Sequence, residues 1–115
     1  MKPLWTHLDR LPEREVRPGV YLRILPMAQM MFSGVRFAPH STVPTHQHPH
    51  EQMGIVLEGE LELWIGDERR TLRRGDMYAI PPNVPHGAET KASTCLVLDV
   101  FHPLREDYVA LFSAE

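Results

Sequence analysis

The stretch HQHPHEQMGIVLEGELELWI, residues 46–65, carries two signals in one short run. Its second half alternates. Leu61, Leu63 and Ile65 share one parity and Glu60 and Glu62 the other, as in a strand with one face buried and one in water. It runs through Gly66-Asp67 into ERRTLRR, residues 68–74, which reads as a hairpin partner setting arginines against those glutamates. The first half crowds His46, His48, His50, Glu51 and Gln52 together, the residue types that hold metal ions.

Working outward, 11 prolines and 7 glycines cut the chain into short runs rich in β-branched and aromatic residues. These are VYLRIL (20–25), MMFSGVRFA (30–38), DMYAI (76–80) and CLVLDVF (95–101). Many short strands separated by turn residues predict an all-β sandwich or barrel. Only LREDYVALF (104–112) has helical spacing, which predicts a short C-terminal helical segment outside the barrel. The run TCLVLDVF is apolar at both parities, so it is expected to be covered on both faces. Asp99 interrupts it. An unpaired carboxylate there is costly, so Asp99 should meet something polar inside the protein.

The remaining numbers bound the function. A chain of 115 residues fits a single domain, 1–115, with one core. A formal charge of −3 offers no electrostatic case for nucleic acid, and the basic run 68–74 reads as a solvated strand. No apolar run approaches a membrane span, and the N-terminus lacks the apolar centre of a signal peptide. One cysteine, Cys95, in an apolar run reads as a small buried hydrophobe and suits a reducing compartment, so a cytoplasmic protein is expected.

Seven histidines occur, and four of them (His40, His46, His48, His50) lie within a few positions of one another. His7, His40 and His102 read as surface or satisfied residues. His46 and His48, at i and i+2 on a strand, would point to one face and converge on an ion. Imidazole suits zinc, nickel, manganese or iron. A third nitrogen is needed, and His86, beyond the proline-rich turn of GDMYAIPPNVPHG (75–87), supplies it. Gln52, Glu51 and His50 compete for a fourth position.

His46 to Gly59 resembles the first cupin motif, two histidines with a polar ligand four residues on and a closing glycine. Gly75 to His86 resembles the second, glycine, then Pro81, then histidine, after a 15-residue interval. The resemblance implies a single-domain cupin, a double-stranded β-helix or jelly-roll-like barrel, with its metal-binding core at about residues 35–101. It also implies one divalent transition metal ion held by His46, His48, Gln52 and His86, and a homodimer. GVYLRIL (19–25) could then add a strand to a neighbour's sheet. Two positions depart from the pattern. Gln52 stands where a glutamate is usual, so a bound ion keeps its full +2 charge and favours an anionic ligand. Asn83 replaces a glycine, and asparagine tolerates left-handed backbone, so the turn should survive.

Adding LDVFHPLREDY (98–108), the chain resembles a narrower group, the pectin-degradation cupins of the KdgF type, which linearise 4,5-unsaturated uronates. Their Asp-x-Phe-x-x-x-Arg pattern falls on Asp99, Phe101 and Arg105. The resemblance implies Asp99 as proton shuttle, Arg105 as a two-pronged clamp on a carboxylate, Phe101 against the sugar face, and a small anionic sugar acid as substrate. A metal-dependent dioxygenase and a non-catalytic small-sugar or acid-binding cupin are the rival readings. A plain Asp99–Arg105 ion pair would need no substrate at all.

Overall fold

The computed structural model describes residues 2–113. Among them a short 3-10 turn (Leu8–Arg10) precedes nine strands and a helix. The strands are β1 (Arg14–Arg17), β2 (Val20–Pro26), β3 (Met31–Phe37), β4 (Thr42–His46), β5 (Glu51–Ile65), β6 (Glu68–Arg73), β7 (Met77–Ile80), β8 (His86–Glu89) and β9 (Cys95–His102). The helix, α1, spans Glu106–Ser113.

All pairings are antiparallel, and the sheet curls on itself in the order β1-β2-β3-β9-β5-β8-β4, with β6 and β7 also on β5. Strand β5 makes the curl possible. Its first half lies between β7 and β9, its second half between β6 and β8. The register against β9 shifts between Val56 and Glu58, and Gly59 follows at φ +82°. A Cβ at Gly59 would collide with the Thr94 carbonyl and Cys95, so only glycine lets the strand turn this corner.

The alternation of residues 60–65 is realised as expected. Leu61 and Leu63 enter the core, and the hairpin turns at Gly66-Asp67 with Ile65 opposite Glu68. Arg73 meets Glu60 at 3.1 Å and Arg69 meets Glu62 at 2.9 Å, across the solvated face. The C-terminal helix forms, two residues later than its periodic run begins. Asn83 sits at φ +63°, in the left-handed conformation its turn requires. Cys95 is buried, and burial first, then Asp99, pushes its thiol up to about 11, so it is inert.

Two apolar clusters make up the interior. One gathers Val20, Phe37, Val56, Leu61, Leu63 and Val97, and the other Leu22, Ile24, Met31 and Phe101, with α1 packed on the second through Tyr108, Val109 and Phe112. On β9 the inward residues run Cys95, Val97, Asp99, Phe101. Asp99 is thus the polar step between the two clusters.

Two expectations need correction. Strand β9 is covered on one face only. Leu96, Leu98 and Val100 on its other face are half-buried, beside Phe32, Met53 and Met77, which are 46, 58 and 74% exposed. The apolar parity there signals an uncovered sheet face rather than a second packed layer. Nor can GVYLRIL add a strand to a neighbour, because β2 is already bonded on both sides, to β1 and β3. Among the described residues, no helix is long and apolar enough to cross a membrane.

Candidate functional site

Strand β4 ends at His46 and β8 begins at His86, and the two residues face each other in register with ring centroids 4.3 Å apart. His48 does not lie on a strand, contrary to the reading of His46 and His48 as strand neighbours. The chain leaves β4 after His46 and bends at Pro49-His50. What places His48 is its own backbone. Its carbonyl accepts the Asn83 N–H at 2.8 Å, tying the histidine loop to the proline-rich turn before His86. The His48 ring then lies 5.7 Å from His46 and 5.0 Å from His86, centroid to centroid. One ring nitrogen from each of the three lies within 4.8 Å of the others.

Backbone carbonyls set the tautomers. His46 Nδ1 lies 2.9 Å from the Pro44 carbonyl and His86 Nδ1 2.9 Å from that of Val84. A carbonyl only accepts, so each Nδ1 carries the proton and each Nε2 keeps a free lone pair. His86 Nε2 is buried and has no hydrogen-bond partner among the described residues. A buried ring nitrogen with no partner fits a metal ligand. Burial, with Arg105 second, lowers the His48 pKa to about 4, and burial also lowers that of His86. Both rings stay neutral near pH 7, the form that ligates.

Gln52, on β5, completes the group. Its Oε1 accepts from His48 Nε2 at 3.0 Å, and these two atoms would become ligand donors once that proton moved to His48 Nδ1, which is buried without a partner among the described residues. Two donors each about 2.1 Å from one ion, at right angles, are about 3.0 Å apart, so the pair fits neighbouring ligand positions. The rivals sit elsewhere. Glu51 is exposed, on the opposite parity and paired in register with His102. His50 has its ring 5.3 Å from His48 and falls outside the three-histidine group.

The other end of the Gln52 amide explains why the residue is not glutamate. Its Nε2 donates to Asp99 Oδ2 at 3.3 Å, and the Tyr78 hydroxyl donates to Asp99 Oδ1 at 2.5 Å. A glutamate here would set two carboxylates against each other in a buried site, whereas the amide gives its NH2 to Asp99 and turns its oxygen toward His48. Burial pushes the Asp99 pKa up to about 7, against the lowering pull of Tyr78, Gln52 and Arg105. The Tyr78 hydroxyl is raised well above its usual value, by burial and then by Asp99, so it stays protonated and donates.

Arg105 does not pair with Asp99. Its Nε and Nη2 bond Asp107 at 3.1 and 2.8 Å, and its guanidinium lies over the Tyr108 ring at 3.9 Å and over the Phe101 ring at 5.2 Å. Asp107 therefore occupies one edge of the guanidinium, and Tyr108 lies against it as well. Phe101 is almost fully buried, with its ring 5.6 Å from that of His48.

These groups meet in one cavity of about 450 Å³, with His46, Gln52, His86, Asp99, Phe101 and Arg105 in its wall. The helix is not merely outside the barrel, because Tyr108 and Leu111 also line this cavity. Tyr78, Asp107 and Tyr108 take part in the site without having been singled out from the sequence. Tyr78 left a trace, a phenol at the inward parity of DMYAI beside Ile80. Asp107, in the first turn of α1, braces Arg105.

Comparison with known proteins follows the same line. Residues 34–101 match the Cupin domain family. The pectin degradation protein KdgF of Dickeya dadantii (strain 3937) is 30% identical over 103 residues, 88% of this chain and 94% of that protein. The solved structure of KdgF from Halomonas sp. superposes with a TM-score of 0.81 at 32% identity, covering 87% of this chain and 94% of that one. The H2HPP isomerase of Bacillus subtilis is 44% identical over 54 residues, 46% of this chain and 23% of that protein, so this chain spans under a quarter of that relative's length.

Proposed function

The chain belongs to the cupin domain family, and from that premise we propose that it is a metal-dependent enzyme of pectin-type polysaccharide degradation that converts 4,5-unsaturated uronates to 5-keto-4-deoxyuronates. One observation carries this reading. A buried carboxylate, Asp99, stands beside a neutral four-donor group, in a cavity whose wall also includes Arg105. The pectin degradation protein KdgF of Dickeya dadantii, similar over most of its length, supports a role in the same polysaccharide degradation.

The reaction is an isomerisation and needs no oxidant or co-reactant. Asp99 takes the proton of the anomeric hydroxyl. C1 becomes a carbonyl as its bond to the ring oxygen breaks, and that electron pair stays on the oxygen at C5 as an enolate. Asp99 then returns the proton to C4, which leaves a ketone at C5. A bound divalent ion supplies Lewis-acid stabilisation of the negative charge, undiminished because His46, His48, Gln52 and His86 are all neutral. Arg105 holds the substrate carboxylate, and Phe101 closes the cavity wall against the sugar. Hydrophobic surroundings and the Tyr108 ring keep the Arg105 plane fixed.

The direct test follows ultraviolet absorbance of an unsaturated uronate mixed with the protein and zinc, nickel, manganese or iron in turn. The conjugated alkene absorbs and the ketone does not, so absorbance should fall. If absorbance holds steady with every metal, the uronate reading is wrong. Within an active preparation, Arg105→Ala should raise KM about 10- to 100-fold, the scale of a lost charge-assisted contact, with kcat much less changed. A kcat loss at unchanged KM would instead make Arg105 a transition-state group.

We propose further that the protein is a homodimer paired through the uncovered sheet face rather than by strand addition. Phe32, Met53, Ile55, Met77, Leu98 and Val100 form a flat apolar patch whose lining carries no charge, and a twofold axis through such a face sets like against like. Light scattering at micromolar concentration should give twice the chain mass, and Met77→Lys should halve it. A monomeric mass for the unaltered protein rules the pairing out.

A further inference from the structure

We infer that Tyr78 is a positioning residue for the metal ligand Gln52, acting through Asp99 across a space that Gly54 leaves open. The inference rests on the metal-binding part of the reading above and not on its uronate part.

Tyr78 on β7 is paired with Gly54 on β5, and Gly54 is paired with Asp99 on β9. The three residues form one row across the sheet, so Tyr78 and Asp99 stand two strands apart, about 10 Å between backbones. Any side chain on the middle strand would separate them. Gly54 has none, and its φ is not in the left-handed region, so no backbone demand accounts for it. The demand is steric. A Cβ built at Gly54 would run into Asp99 Oδ1 and into the Tyr78 phenol ring and hydroxyl together. The phenol therefore lies across the bare backbone of β5, and its hydroxyl reaches Asp99.

The chain of hydrogen bonds has a direction. The Tyr78 hydroxyl donates to Asp99 Oδ1, Asp99 Oδ2 accepts from Gln52 Nε2, and Gln52 Oε1 lies against His48 Nε2 where the ion would sit. An amide side chain can present either its oxygen or its nitrogen, and only the oxygen ligates. Asp99, an acceptor on both oxygens, selects the nitrogen for itself and turns the oxygen to the metal. Tyr78 in turn holds the carboxylate in the plane that Gln52 can reach. The next residue in the row, Ser33, is paired with Asp99 and its hydroxyl has no partner among the described residues, so no second donor secures the carboxylate from that side.

Groups that orient a ligand typically change metal affinity about 10- to 100-fold, and one bond further out the effect should be smaller. Purified protein stripped of metal would be titrated with cobalt(II), reading both affinity and the visible spectrum of the ion, with thermal unfolding of each metal-free variant alongside. Tyr78→Phe is expected to weaken binding about three- to tenfold and to alter the spectrum, while the metal-free protein unfolds within a few degrees of the original. Gly54→Ala should do more, because it displaces both partners. Tyr78→Phe keeps the question answerable should Gly54→Ala fail to fold. The decisive step repeats Tyr78→Phe in a Gln52→Ala background, where its effect on affinity should vanish because the chain has lost its end. Unchanged affinity and spectrum in Tyr78→Phe, or an undiminished effect without Gln52, would overturn the inference. Failure of the unaltered protein to bind cobalt, zinc, nickel, manganese or iron would instead overturn the metal reading beneath it.

Discussion

Asp99→Asn is expected to slow ketonisation of an unsaturated uronate by about 10²-fold or more, with metal content retained within a few-fold. Retention follows from shape. Asparagine is isosteric with aspartate, its Oδ1 can still accept from Gln52 Nε2, and its Nδ2 can donate to the Tyr78 hydroxyl, which reverses its role. The connections that orient Gln52 therefore survive while the base is gone. The loss of rate follows from position and charge. Asp99 is fully enclosed, and burial, opposed by Tyr78, Gln52 and Arg105, leaves its pKa at about 7, close to the pH at which one group can both take and return a proton. The pair of measurements is metal content by elemental analysis and kcat from the absorbance assay. Normal turnover in a metal-loaded Asp99→Asn protein would remove the proton-shuttle role from Asp99 while leaving the uronate activity in place.

How far the sequence alone reaches is set by what its periodicities report. Alternation at 60–65 exposed a strand with a wet face because one parity is apolar and the other charged, and the sheet realises it. In CLVLDVF both parities are apolar, and an apolar residue records only that water is unfavourable, not which surface covers it. The second face of β9 therefore read as packed although it is open among the described residues. The His46–His48 pair was legible as a cluster, yet its geometry comes from a loop held by the Asn83 N–H, a long-range bond with no local signature. Asp99 announced itself by being a charge in an apolar run. Its partner Tyr78 did not, because a tyrosine fits a half-buried strand without comment and the bond skips over a strand. Gly54 was silent for the same reason: it matters for an atom it lacks.

His48→Ala is expected to abolish metal binding and activity together, which separates ligand from acid–base group. His48 is buried, and its Nε2 lies within hydrogen-bond reach of Gln52 Oε1, so its loss removes one of the converging nitrogens and leaves a gap beside Gln52. The vacated space cannot be made good by a nearby ring. His50 is the nearest candidate, its ring centroid 5.3 Å from that of His48, but it stands outside the group in which His46 and His86 converge. The comparison that decides is therefore His48→Ala against His50→Ala, read by thermal unfolding with and without added metal. Ligand that binds only the folded state at about 100 times its Kd adds about 2.7 kcal/mol, so the unaltered protein and His50→Ala should both melt several degrees higher with metal present. His48→Ala should show no such rise. Acidification sharpens the contrast, since burial keeps the His48 proton off until about pH 4, and this ring competes with protons only near that value. A metal-dependent rise that persists in His48→Ala and disappears in His50→Ala would exchange the two residues in the ligand set. Gln52 would then need a different reason for facing the centre of the barrel.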